Sequence, residues 1–306
     1  MTCNKPLDML LSDKLITVAA PMVRYSKLAF RTLVRKYEVD IAYTPMIMSD
    51  SFVKSVKARD IEFTTSSDDR PLIVQFAANN PTDFADAAEI VRPYCDGVDL
   101  NCGCPQRWAM NEGIGACLMN KPDVLSDVVS QTRSRISDPD FTVSVKVRLH
   151  SDLRRTVDMC QKVERAGVSW LTVHGRTAAQ RCEPVDTDAI RVIKDSVSVP
   201  VVANGDICSI EDAAQVHKNT NVNGVMAARG LLSNPALFAG YENTPLQCIQ
   251  DWVDIALSLG IPFQLFHHHL STMLDRVMSR SEKRIFNCLG GMTAVLDFLK
   301  ENYGIR

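Results

Sequence analysis

Eight short β-branched or apolar runs, each followed by a helix-forming stretch, constrain this chain more than any other feature. The runs are 15–21, 40–44, 71–77, 97–101, 142–149, 169–175, 200–205 and 224–230. Helical patterns fill the intervals at 26–37, 81–92, 122–136, 152–166, 186–195 and 209–219; 48–68 reads as irregular, with a short helix around 50–60. Strands apolar throughout and separated by helices form a parallel sheet covered on both faces. Eight such units predict a closed (β/α)8 TIM barrel of the α/β class. From about residue 246 the strands stop, and 247–260, 262–280 and 283–304 read as three amphipathic helices. The expected organisation is a barrel over 1–240 followed by an all-helical region over 241–306.

The polar residues fall where a barrel would use them. Gln75, Asn101, Lys146, His174, Asn204 and Arg229 each stand at or near the C-terminal end of a different predicted strand. Barrel enzymes build their active sites on that face. One such residue alone is commonly structural, but six at equivalent positions converge on one cleft. ANGDI (203–207) and ARG (228–230) close the last two strands, where barrels commonly hold a phosphate on backbone N–H groups. Gly205 and Gly230 admit a close backbone approach, and Arg229 brings charge-assisted donors. No G-x-G-x-x-G follows the first strand, so a mononucleotide is expected rather than a dinucleotide fold.

NCGCPQ (101–106) follows strand four. The C-x-C lacks the companion Cys or His pair of a zinc site, and three consecutive histidines (267–269) on a helix point in three directions. No metal is expected. Cys102 reads as a buried structural cysteine. Cys104, between Gly and Pro over the barrel mouth, reads as chemical.

Bulk properties narrow the setting. The chain has 306 residues, a net charge of −2 and a pI near 6.3, so any nucleic-acid contact must come from local patches. Basic residues cluster at Arg24, Lys27, Arg31, Arg35 and Lys36; at Lys54, Lys57 and Arg59; at Arg154 and Arg155; and at Arg276, Arg280, Lys283 and Arg284. The last group is the densest. Ten scattered cysteines suggest a reducing compartment rather than a disulfide framework. The first fifteen residues do not resemble a transit peptide, and no apolar run approaches the roughly 20 residues of a membrane span. A cytoplasmic protein with a possible nuclear share is expected. Oligomeric state is not legible, and a monomer is consistent with the sequence.

APM (20–22), VQFA (74–77), NCGCPQ, GIGACLMNKP (113–122), VKVR (145–148), VHGRT (173–177), ANGDI and ARGLLSNP (228–235) occur in one order that resembles the tRNA-dihydrouridine synthases. APMVRYSKLAFRTLV and NCGCPQRWAM are most similar to the eukaryotic dihydrouridine synthase 4-like branch. The resemblance implies FMN as prosthetic group, NADPH or NADH as reductant and tRNA as substrate. It further implies reduction of D-loop uridines, 20a and 20b for the closer branch. By the same resemblance Cys104 is the proton donor, a task suited to a thiol, since an ordinary cysteine titrates near about 8.5 and is mostly protonated at neutral pH. Pro21, Met22 and Val23 would lie along the flavin. Gln75, Lys146 and His174 would reach its polar ring, while Asn204, Gly205, Asp206, Ala228 and Arg229 would hold the phosphate. Asn101 and Arg148 would contact the uracil. Ala228 stands where many relatives carry Gly. The helical region, through Arg276, Arg280, Lys283 and Arg284, would grip tRNA. Competing readings are a flavin-barrel oxidoreductase acting on a free pyrimidine, and a tRNA-binding protein that keeps the barrel without catalysis.

Overall fold

A computed structural model describes residues 5–305. Its strands are β1 (Ile16–Ala19), β2 (Ile41–Tyr43), β3 (Leu72–Ala77), β4 (Gly97–Cys102), β5 (Thr142–Leu149), β6 (Trp170–Thr177), β7 (Val201–Asn204) and β8 (Gly224–Ala227). All pair in parallel, from Ile16 beside Gly224 round to Ala42 beside Leu72, which closes the barrel. A two-residue strand, Ile47–Met48, also pairs with β3. The (β/α)8 TIM barrel expected from the sequence is the fold observed.

Alternation along each strand sorts side chains between two cores. Inside the barrel, Ile16, Val18, Ile41, Tyr43, Ile73, Trp170, Val202 and Met226 pack together, and Leu10 from the helix Pro6–Leu10 joins them. Trp170 Nε1 donates to Tyr43 Oη at 3.1 Å, so even the indole is satisfied there. Nearer the C-terminal mouth the lining turns polar: Gln75, Asp99, Asn101, Ser144 and Asn204 are all buried. The outward faces meet the surrounding helices in a second, larger core.

The irregular stretch contains two short helices, Ser49–Lys54 and Val56–Glu62. The C-terminal region departs from expectation. It holds four helices, Leu246–Ser258, Phe263–Met273, Arg280–Asn287 and Met292–Tyr303. The segment read as one helix over 283–304 is split at Gly290–Gly291, where the high backbone entropy of glycine favours a break. Arg280–Asn287 has its own start signal: Ser279 and Glu282 form a reciprocal capping box. These helices share one continuous core with the barrel, through Trp252, Phe266, Leu270, Phe286 and Val295. Lys36 and Tyr37 of the barrel both bind Asp251, at 2.6 and 2.8 Å.

Candidate active site

The loops after β7 and β8 enclose a cavity of about 360 Å³ lined by His174, Asn204, Gly205, Asp206, Ala228 and Arg229, among others. Lys146 Nζ donates to Asn204 Oδ1 at 2.7 Å, and Asn204 Nδ2 donates to the Met226 carbonyl at 2.8 Å. Asn204 thus ties β5, β7 and β8 at the mouth. Burial, then the neighbouring Arg148, brings Lys146 down to about 8, so its ammonium is retained at neutral pH. His174 is held far below the usual imidazole range by burial and by Lys146, Arg148, Arg176 and Arg229. Its ring is neutral, and Nδ1 is buried without a hydrogen-bond partner. An unpaired buried imidazole nitrogen beside an open cavity calls for a polar ligand atom.

Asp206 lies on the cavity wall, but its carboxylate is bound by Arg176 and, at 3.5 Å, by Arg229. Its contribution to an anion site is to aim two guanidinium groups. Gly205 and Gly230 act mainly on packing. A Cβ on Gly230 would stand 2.2 Å from the Ile207 carbonyl, and one on Gly205, where φ is +122°, would stand 2.7 Å from Val185 Cγ2. Their absence of side chains lets the loops close on each other. Arg276, expected among the tRNA-gripping residues, instead lines this cavity.

Cys104 is half-buried on the loop after β4, packed against the small cluster of Ala77, Ala109 and Ile114, which Met46 and Met48 also cover. Gly115, at φ +64°, folds the chain back so closely that a Cβ would meet the Cys104 carbonyl at 2.6 Å. Arg148 Nε donates to the Gly103 carbonyl at 2.8 Å and its NH1 to the Thr177 carbonyl at 3.0 Å. Arg148 therefore joins the cysteine loop to the C-terminal end of β6. Asn101 is likewise engaged within the protein: Nδ2 donates to Gln75 Oε1 at 2.8 Å, and Oδ1 accepts from the Gly103 and Cys104 N–H groups. Cys102 is fully buried, with its thiol raised well above the ordinary range by desolvation.

Pro21 and Met22 sit on the loop after β1, which Ser26 pins by accepting from the Met22 N–H at 2.9 Å and donating to the Ala20 carbonyl at 2.8 Å. Val23 is not brought to the cavity. It is exposed and lines a separate apolar groove with Met46, Ile47, Phe52 and Ile61. Two residues escaped the sequence reading. Arg176 lies in VHGRT, two positions beyond the histidine and so on the same face of β6. Asp99 interrupts the apolar run GVDLN, and a lone carboxylate there was itself a signal.

The basic clusters divide. Arg31 is buried and bonds Asp69 at 2.7 Å, Arg35 shares that carboxylate, and Lys27 and Lys36 pair with Glu62 and Asp251. That group is structural, Arg24 excepted. Lys283 pairs with Asp275 at 2.8 Å, whereas Arg280 and Arg284 are exposed without an ion partner among the described residues. The three histidines go separate ways: His267 Nε2 reaches the Phe286 carbonyl, His268 stacks on Tyr25, and His269 is buried against Phe30 and Trp252. Among the described residues no three His, Cys, Asp or Glu side chains gather as metal ligands, and no helix is long and apolar enough to cross a membrane.

Residues 17–294 match the protein family described as dihydrouridine synthase. The chain is 60% identical over 300 residues to a human protein named tRNA-dihydrouridine(20a/20b) synthase (NAD(P)+)-like, covering 98% of this chain and 95% of that one. It is 43% identical to a Schizosaccharomyces pombe protein named tRNA-dihydrouridine(20a/20b) synthase (NAD(P)+), over 95% of this chain and 89% of that one. Among solved structures, the old yellow enzyme of Trypanosoma cruzi superposes with a TM-score of 0.52 at 10% identity, covering 72% of this chain and 86% of that one. At that identity the likeness is one of fold.

Proposed function

The chain belongs to the dihydrouridine synthase family, and we propose that it reduces uridines 20a and 20b of tRNA with NADPH or NADH and a bound FMN. The observation that carries the reading is one mouth in which a cationic, His174-lined cavity is joined through Arg148 to the loop of Cys104. A free pyrimidine or a silent binding protein would require no such combination together with a basic stretch at 276–284 in the helical region.

The cavity suits a flavin mononucleotide. Its unpaired His174 Nδ1 wants a polar ligand atom, and with Asp206 paired to the buried Arg176, Arg229 and Arg276 on the cavity wall leave positive charge for a phosphate. Asn204, Gly205, Ala228 and Arg229 would hold that phosphate, while Gln75, Lys146 and His174 would face the ring. When bound and reduced by NADPH or NADH, the flavin would supply the hydride for carbon 6 of the uracil. Hydride at carbon 6 would leave enolate charge on carbon 5 and the adjacent carbonyl oxygen, so carbon 5 needs a proton. Cys104 donates its thiol proton to carbon 5, so one hydride and one proton complete the 5,6-dihydro product. Arg148 and Asn101 hold the loop that aims this thiol. Pro21 and Met22 line the approach, and the target base must leave the tRNA stack to enter.

Two measurements test this. Heat-released pigment should be FMN and not FAD. Purified protein should form dihydrouridine on tRNA and none on free uridine; turnover of the free nucleoside would favour a small-molecule oxidoreductase. The proposed compartment is the cytoplasm, with a nuclear share, and the nine described cysteines, all free thiols, support a reducing setting. Tagging the protein and imaging it would check the placement.

A further inference from the structure

Asp99 is fully buried inside the barrel, beneath the mouth, and the reaction as described gives it no part. Its carboxylate accepts from Ser144 Oγ at 2.7 Å and from Gln75 Nε2 at 2.8 Å. Gln75 Oε1 accepts from Asn101 Nδ2 at 2.8 Å. Asn101 Oδ1 accepts from the backbone N–H groups of Gly103 at 3.1 Å and Cys104 at 3.0 Å. One unbroken chain of hydrogen bonds therefore runs from Asp99 to Cys104.

The chain has a direction, and Asp99 sets it. A primary amide can turn either edge toward a neighbour, but an ionised carboxylate can only accept. Gln75 must then turn its nitrogen to Asp99 and its oxygen to Asn101. Asn101 in turn presents its nitrogen to Gln75 and its oxygen to the cysteine loop. Only that order satisfies both loop N–H groups. Reversing either amide sets donor against donor and leaves a buried hydrogen bond unmade. Burial pushes Asp99 up to about 6, yet the bonds from Ser144 and Gln75 and the charge of Lys146 keep it a carboxylate at neutral pH. The other titratable groups near it, Tyr43 and Cys102, are both raised by burial and stay neutral.

We propose that Asp99 is a positioning residue for the reaction: through Gln75 and Asn101 it orients the loop that carries Cys104 and so sets where the thiol proton is delivered. This rests on the reading of Cys104 as the proton donor. The carboxylate of Asp99 stands out in GVDLN, but its partners are visible in no single motif, because they come from three strands.

An exchange of polarity tests it. Asn101→Asp keeps an acceptor for the loop but takes away the donor to Gln75, which is left between two carboxylates. Adding Asp99→Asn restores a consistent chain in the opposite sense: the new asparagine donates to Gln75 Oε1, and Gln75 Nε2 donates to the new aspartate. Two readouts are followed, dihydrouridine turnover on tRNA and hydrogen exchange of the Cys104 backbone amide. Asn101→Asp should lose about tenfold in each, and the double exchange should regain most of both losses. Wild-type behaviour of Asn101→Asp, or a double exchange no better than the single, overturns the proposal. Regained amide protection without regained turnover overturns the catalytic role. If Asn101→Asp does not fold, Asp99→Ala takes its place, and unchanged protection at Cys104 is then the overturning result. The exchange readout involves no turnover, so it separates this proposal from its premise: an active Cys104→Ala enzyme would remove the premise and leave the amide result standing.

Discussion

At the scale of single residues, the two cysteines of NCGCPQ make the sharpest contrast. Cys104 is half-buried on the mouth loop, and Cys102 is sealed in the core two residues earlier. Cys104→Ala should keep flavin and tRNA binding and lose about 10²–10⁴-fold in dihydrouridine formation, the usual cost of removing a general acid. Cys102→Ala should cost stability, about 1 kcal/mol, and little turnover. Equal losses of turnover in single-turnover assays would remove Cys104 from its assigned role. The distinction between the two was legible in sequence from the Gly and Pro flanking Cys104; that the strand itself ends with Cys102 is seen only in the structure. What was not legible is partnership. Gln75, Asp99 and Asn101 lie on neighbouring strands, and Arg176 meets Asp206 across a 30-residue separation. Alternation tells which way a side chain points, but only register tells what it meets.

At the scale of elements, the barrel strands and their helices were readable because period 2 and period 3.6 patterns are local. The split at Gly290–Gly291 was missed because apolar residues on both sides continue a helical pattern across it. The docking of the helix Phe263–Met273 was likewise invisible, since it depends on the barrel helix Leu28–Arg35. There His269 stacks on Phe30 at 4.8 Å and meets Trp252 tilted at 4.5 Å, with neither ring nitrogen hydrogen-bonded. Burial, then the adjacent His268, brings it down to about 3. The unfolded chain, with an ordinary histidine near 6.5, therefore takes up a proton before the folded one does. Stability contributed by the neutral ring is complete above about 6.5 and is lost as pH falls toward 3. At pH 5 the loss is about 2 kcal/mol. His269→Phe keeps the stacking and removes the titration. Thermal melts from pH 7 to pH 5 should show the wild type falling further than the variant, and parallel curves would show that His269 finds a partner when protonated.

At the scale of the whole molecule, a net charge of −2 leaves tRNA binding to local charge. The structure reduces four dense candidates to two free arginines, since Lys283 is paired and Arg276 turns to the cavity. Reversing Arg280 and Arg284 to Glu should weaken tRNA binding and lower the slope of log K against log salt by roughly 0.7–0.9 per lost phosphate contact. NADPH oxidation by the bound flavin should persist, because it needs no RNA. Unchanged affinity and slope in a filter-binding titration would assign the helix face to solvent and shift the search to Arg24 and Arg154.

The apolar core that passes from barrel to C-terminal helices without a seam has a mechanical meaning. Close-packed interiors transmit strain rather than yield. The helix Arg280–Asn287, through Phe286, and the strand that leads into the Cys104 loop, through Leu100 and Cys102, are thereby mounted on one frame, like the two jaws of a locked caliper. If tRNA is gripped by Arg280 and Arg284 as proposed, it would reach the Cys104 loop only at the arc length the frame allows. Bending, unstacking and swinging out the base then fall to the tRNA, whose own pliancy becomes part of what is measured.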